Sequence, residues 1–141
     1  MANTTASLLK KLGIRPGQAV CFLGAKAAAI SELIRKERPD VKLLDALDGR
    51  RCDVIFYWPK PADDLPALFA ELQRHIVPDG AVWAVVRTKT GRTSKGPRVE
   101  WSAVQAAALT TDLVDNKVVS LSGDEYATRF VIRKSKRGQS D

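Results

Sequence analysis

Five cations stand in one acid-free stretch of the chain: Arg87, Lys89, Arg92, Lys95 and Arg98. Threonine, serine and glycine are interleaved with them, so the segment is expected to be a mobile loop. Cations on such a loop can close over phosphates, making contacts that are non-specific in sequence and strongly salt-sensitive. A second group, Arg133, Lys134, Lys136 and Arg137, is offset only by Asp141. These two segments account for the whole +7 formal charge, and the rest of the chain is close to neutral. The partner implied is an anionic small molecule or nucleic acid; the other reading of such basic segments is solubility alone.

Other reactive residue types are sparse. His75 stands beside Arg74 at the end of an apolar-faced helical segment, where a cation complements the helix dipole. No serine or cysteine is spaced to pair with it as a nucleophile. Cys21 and Cys52 make no disulfide framework, and Cys21, inside an apolar run, is expected to be a buried reduced thiol. One histidine and two separated cysteines do not make a His/Cys zinc site, so no metal is expected. The acid pairs Asp63-Asp64 and Asp124-Glu125 read as a helix start and a hairpin turn. No general base is evident.

The chain's 141 residues, 45% hydrophobic and 28% charged, have the composition of one globular domain and exclude collagen-like, mucin-like and fully disordered classes. No apolar run approaches the ~20 residues of a membrane span. Residues 1–13 lack the apolar core of a secretory signal, and a cytoplasmic location is expected. The expected organisation is one domain over 1–134 and a disordered basic tail over 135–141.

The pattern predicts alternating strands and helices. Thr4 or Thr5 caps a short helix ending at Gly13. Gln18–Gly24 reads as a strand buried on both faces. A helix over Ala25–Lys36, a strand over Val41–Leu44 and a strong strand over Asp53–Trp58 follow. Asp63 or Asp64 caps the next helix, with Pro66 in its first turn. Pro78-Asp79-Gly80 reads as a turn before a buried strand over Ala81–Val86. Ser102 caps a short helix through Leu109. Strands over Lys117–Leu121 and Thr128–Ile132 are joined as a hairpin through Ser122–Glu125. This order predicts a mostly parallel sheet covered on both faces, with a C-terminal antiparallel hairpin strand.

Several segments resemble the class I, Rossmann-like S-adenosylmethionine-dependent methyltransferase fold. Gln18–Gly24 resembles its first strand, Asp53–Pro59 its fourth, and Leu72–Val86 the helix, proline-x-glycine turn and fifth strand. Val114–Val131 resembles its last two strands. The chain is also similar to a family of small uncharacterised bacterial proteins related to that fold. The resemblance implies a truncated three-layer α/β sandwich. In such enzymes a glycine-rich turn follows the first strand and an acid follows the second, the glycines admitting ligand close to backbone and the acid accepting from ribose hydroxyls. Here the turn reads Gly24-Ala25-Lys26-Ala27-Ala28-Ala29, with Lys26 in place of the central glycine. That cation is a poor neighbour for a sulfonium and a better one for phosphate at a helix start. Asp45 follows Gly24 by 21 positions, near the ~20 of a ribose acid; a helix cap or solvated turn is its other reading.

The segment from Leu44 to Val54 is shorter than a helical crossover of about 10–12 residues needs. The sheet is therefore expected to lack one edge strand, and the adenine pocket to be incomplete. Tyr57-Trp58-Pro59-Lys60 occupies the place of the Asn/Asp-Pro-Pro-aromatic motif of amino-methylating members, without its acid or amide. Trp58 can stack on a ring or cover the sheet. The implied cofactor-type contacts are Gly24, Lys26, Asp45 and Trp58. The implied anion contacts are Lys60, Arg87, Lys89, Arg92, Lys95 and Arg98. Three functions stay open: a non-catalytic domain binding a nucleotide or nucleic acid, a structural or protein-interaction domain, and an atypical methyltransferase with S-adenosylmethionine as cofactor.

Overall fold

The structure is a computed structural model describing residues 5–23, 28–45, 47, 49, 51–60, 63–87, 99–121 and 125–133. Its elements are α1 (Thr5–Leu12), β1 (Ala19–Leu23), α2 (Ala28–Glu37), β2 (Lys42–Leu44), β3 (Cys52–Tyr57), α3 (Leu65–Arg74), β4 (Ile76–Arg87), α4 (Trp101–Ala108), β5 (Leu113–Ser120) and β6 (Glu125–Ile132). The strands form one six-stranded sheet in the order β2-β1-β3-β4-β6-β5. The first four are parallel, and β6 and β5 add the antiparallel hairpin. This is the mixed sheet expected. β2 stands at its edge, and residues 45–51 alone join it to β3.

Two apolar layers sandwich the sheet. On one face Leu9 and Leu12 of α1 and Ile30 and Ile34 of α2 meet Val20, Phe22, Val54, Phe56, Trp83 and Val85. On the other, Phe69 and Leu72 of α3 and Val104, Ala107 and Ala108 of α4 meet Ile55, Tyr57, Val82, Ala84, Val86 and Phe130. A central strand must satisfy both layers, which is why β3 and β4 read as almost continuous apolar runs rather than alternating ones.

Helix ends follow local chemistry. Gly13 takes φ +75°, its N–H donates to the Lys10 carbonyl at 3.1 Å and the Ile14 N–H donates to that of Leu9 at 3.0 Å. These paired bonds form a Schellman termination, closed by the buried Leu9 and Ile14. Asp64 caps α3, its carboxylate accepting from the Ala67 N–H at 3.3 Å. His75 caps the other end, its Nδ1 lying 2.9 Å from the Glu71 carbonyl oxygen. Cys21 and Cys52 are both buried, and neither is in a disulfide.

Two local expectations are corrected. Pro78-Asp79-Gly80 is not a turn ahead of a strand but lies inside β4. Cys52 pairs with Ile76 and Val54 with Ala81, so 77–80 bulge opposite Asp53 alone. The proline and glycine are tolerated because an irregular stretch frees the backbone from ladder hydrogen bonding. Nor does Ser102 cap α4. Glu100 takes that position, with no side-chain cap, and its carbonyl accepts from Ala103 and Val104. Trp101 begins the helix because its ring packs on Phe130, centroids 5.8 Å apart.

Gly80 is the tightest point of the bulge. A Cβ built there would lie 2.8 Å from the Asp53 carbonyl oxygen and 3.1 Å from that of Val77. Both are backbone atoms, so the clash cannot be relieved by a rotamer change. Gly80→Ala is expected to cost about 1–3 kcal/mol, read as a lower urea midpoint at unchanged m-value. A midpoint equal to that of the parent chain would show that the bulge opens freely.

Candidate functional site at the carboxyl edge of the sheet

β1, β2, β3 and β4 end on the same side of the sheet, at Leu23, Leu44, Tyr57 and Arg87, and β6 begins there with Glu125 opposite Arg87. Ligands of parallel α/β sheets collect at this edge because it combines strand ends with helix starts. Of the residues expected to act here, Asp45, Trp58 and Lys60 are described with their side chains. Arg87 is described as the last residue of β4, without its side chain. Gly24, Lys26, Lys89, Arg92, Lys95 and Arg98 lie outside the described residues, as do 88–98 generally, the hairpin turn 122–124 and the tail 135–141.

Asp45 is exposed directly after β2. Lys60 is exposed two residues beyond Trp58, on the segment leaving β3. Trp58 is half-buried, its ring centroid 6.4 Å from that of Phe22 and 6.3 Å from that of Phe56. Its N–H donates to the Leu23 carbonyl at 3.0 Å, continuing the pairing of β1 and β3 past the strand end. Its ring thus packs against the α1–α2 layer.

Asp63 bonds back to both Tyr57 and Lys60. The Tyr57 hydroxyl donates to Asp63 Oδ2 at 2.6 Å, and the Lys60 N–H donates to the same oxygen at 2.9 Å. The Asp63 N–H returns a bond to the Lys60 carbonyl at 2.9 Å. The two adjacent acids thus divide their work: Asp64 caps α3, while Asp63 ties the β3 exit loop together. Burial, and then the hydrogen bond to Asp63 and its negative charge, push the Tyr57 phenol well above its usual value of 10. At neutral pH it remains a neutral donor, a poor base and a poor nucleophile. Sequence reasoning missed this pair. The tandem acids were the available signal, since one helix start needs only one cap.

The described donors fit S-adenosylmethionine only in part. Asp45 stands where a ribose acid belongs, but β2 is the outermost strand beside it and 45–51 leave no room for another helix and strand. Among the described residues no three His, Cys, Asp or Glu side chains gather as a metal-binding group. None of the described helices is long and apolar enough to cross a membrane.

Sheet order, helix layers and the ligand edge together define a fold of the class I S-adenosylmethionine-dependent methyltransferase type. Residues 9–134 match a family described as a protein of unknown function, DUF3052, and the chain belongs to that family. No curated protein matches the sequence. A SAM-dependent methyltransferase from Aquifex aeolicus is similar in structure, with a TM-score of 0.63 and 15% identity over 91% of this chain and 89% of that one. A chain of the complex between the Haloferax volcanii Trm112 methyltransferase activator and a methyltransferase gives a TM-score of 0.66 at 12% identity, over 92% and 88%. The TehB-like SAM-dependent methyltransferase of Corynebacterium glutamicum gives 0.58 at 10% identity, over 92% and 88%. At such identities the likeness is one of fold, and activity must be argued from the site.

Proposed function

We propose that this chain is a methyltransferase-like binding domain that takes an anionic ligand, a nucleotide or nucleic acid, at the carboxyl edge of its sheet and transfers no methyl group. The observation that carries the reading is the end of β4 at Arg87, beside the exit of β3 and on the same side of the sheet as that of β1. The acid-free segment with five cations starts from that residue, next to the ligand edge. Exposed Lys60 lies on the same side. Gly24 and Lys26 join these residues in the proposal, since a lysine ahead of α2 suits a phosphate. Two observations support the absence of methyl transfer: β2 is the outermost strand, with only residues 45–51 between it and β3, and the neutral Tyr57 has its acid partner committed to the β3 exit. Two buried cysteines outside any disulfide support a reducing, cytoplasmic setting.

Titration of duplex DNA at several salt concentrations tests the reading. Engagement of all five cations gives a slope of log affinity against log salt of about −4.5. Arg92→Ala together with Lys95→Ala should lower its magnitude by about 2. Absence of binding at low salt to duplex, single strand and ATP alike overturns the reading.

A second reading, a methyltransferase with an unusual pocket, is favoured by Asp45 alone. Calorimetry with S-adenosylmethionine separates the two. Heat that Asp45→Ala abolishes supports cofactor binding, and silence at millimolar ligand removes it.

A further inference from the structure

The opposite end of the sheet holds a second concavity. Beside the bulge 77–80, near the amino ends of β1 and β3, a cleft of about 230 Å³ lies against the loop joining α1 to β1. Arg15, Gln18, Asp53, Asp79, Gly80 and Arg129 are among its lining residues. The volume is roughly the share of seven or eight liquid waters, below the roughly 300–1,000 Å³ of drug-sized sites. An occupant must be small.

The walls are fixed by bonds already made. The Ala19 N–H donates to Asp53 Oδ2 at 2.9 Å, holding that carboxylate across from β1. The Arg15 N–H donates to Gln18 Oε1 at 2.8 Å, closing the turn. At Gly80 an added Cβ would meet the Asp53 carbonyl, so the bulge packs closely on β3. A preformed cleft spends little binding energy on ordering itself.

The lining charges select the ligand class. Arg15, Asp53, Asp79 and Arg129 line the same small volume, and no ion pair joins Arg15 to Asp53 or Asp79. A simple anion meets the carboxylates, and a simple cation meets the guanidinium groups. A molecule with separated, balanced charges satisfies both signs. We propose that this amino-edge cleft binds a small zwitterion of free amino-acid size, its carboxylate toward Arg15 and its ammonium toward Asp79. The site is independent of the carboxyl-edge reading, and either can fail without the other.

The test uses the full chain, labelled with ¹⁵N, and each standard free L-amino acid at millimolar concentration. Propionate and propylamine serve as single-charge controls. The expected result is saturable movement of the Gly13, Gln18 and Gly80 amide resonances with at least one amino acid, and weaker or no movement with either control. Arg15→Gln and Asp79→Asn, both at exposed positions, should each weaken binding about tenfold or more while leaving the thermal midpoint in place. Asp53 is left intact because it also holds β1. No movement with any amino acid overturns the proposal. So do equal responses to the controls, or binding unchanged in both variants.

Discussion

Trp83→Ala is expected to cost about 3–5 kcal/mol, enough to consume much of the ~5–15 kcal/mol that keeps a domain folded. Trp83 is fully buried at the centre of β4. Its ring stacks on Phe56 with centroids 6.4 Å apart and planes 12° from parallel. Its indole N–H donates to the Leu12 carbonyl at 3.1 Å, across 71 positions of sequence. Leu12 ends α1, so this one side chain both fills the layer and fastens the first helix to the sheet. Trp83→Phe separates the two contributions. It keeps an aromatic ring but leaves the Leu12 carbonyl unpaired, for about 1–3 kcal/mol. Urea denaturation gives the magnitude, and hydrogen exchange over residues 5–14 gives the location. Faster exchange confined to α1 is expected in the Phe variant. A loss below about 1 kcal/mol for Trp83→Ala would show that α1 is held by other contacts.

Phe69→Ala is expected to cost a similar amount, about 3–5 kcal/mol, from the opposite layer. Phe69 is fully buried on α3. It meets Tyr57 edge-on, centroids 5.8 Å apart at 83°, and Phe130 at 5.5 Å and 63°. Rings from two strands, β3 and β6, converge on this side chain of α3, and removing it strips Tyr57 of one wall. The Tyr57–Asp63 bond should then loosen, seen as faster exchange of the Lys60 amide. The two layers are separated by the sheet, which makes their contributions independent. Combining the milder Trp83→Phe and Phe69→Leu should therefore give the sum of the single losses to within about 0.5 kcal/mol. A larger departure would mean that the sheet transmits strain between its faces.

Much of the fold was legible in the amino-acid order. The runs at Gln18–Gly24, Asp53–Trp58 and Ala81–Val86 contain too few polar residues to be strands with one wet face. That alone predicts a sheet covered on both sides. Gly13 and Asp64 marked helix ends because their roles depend on backbone freedom and a carboxylate within a few residues. The missing edge strand was legible as a shortage of chain between Leu44 and Val54. The candidate site was legible in part: Asp45, Trp58 and Lys60 do stand at the carboxyl ends of their strands, since position after a strand is a local property.

Other features waited for the folded molecule, because their causes are distant in sequence. Pro78-Asp79-Gly80 carries every local mark of a turn, and it becomes a bulge in β4 only because Asp53 on the neighbouring strand accommodates it. Ser102 offered a hydroxyl for capping, but the packing of Trp101 on Phe130 starts the helix earlier. Asp63 lies six positions from Tyr57, and nothing local required their bond. The amino-edge cleft draws residues from β3, β4, β6 and the α1–β1 loop. Local propensity acts over a few residues, whereas the shape of a site is set by which strands lie side by side.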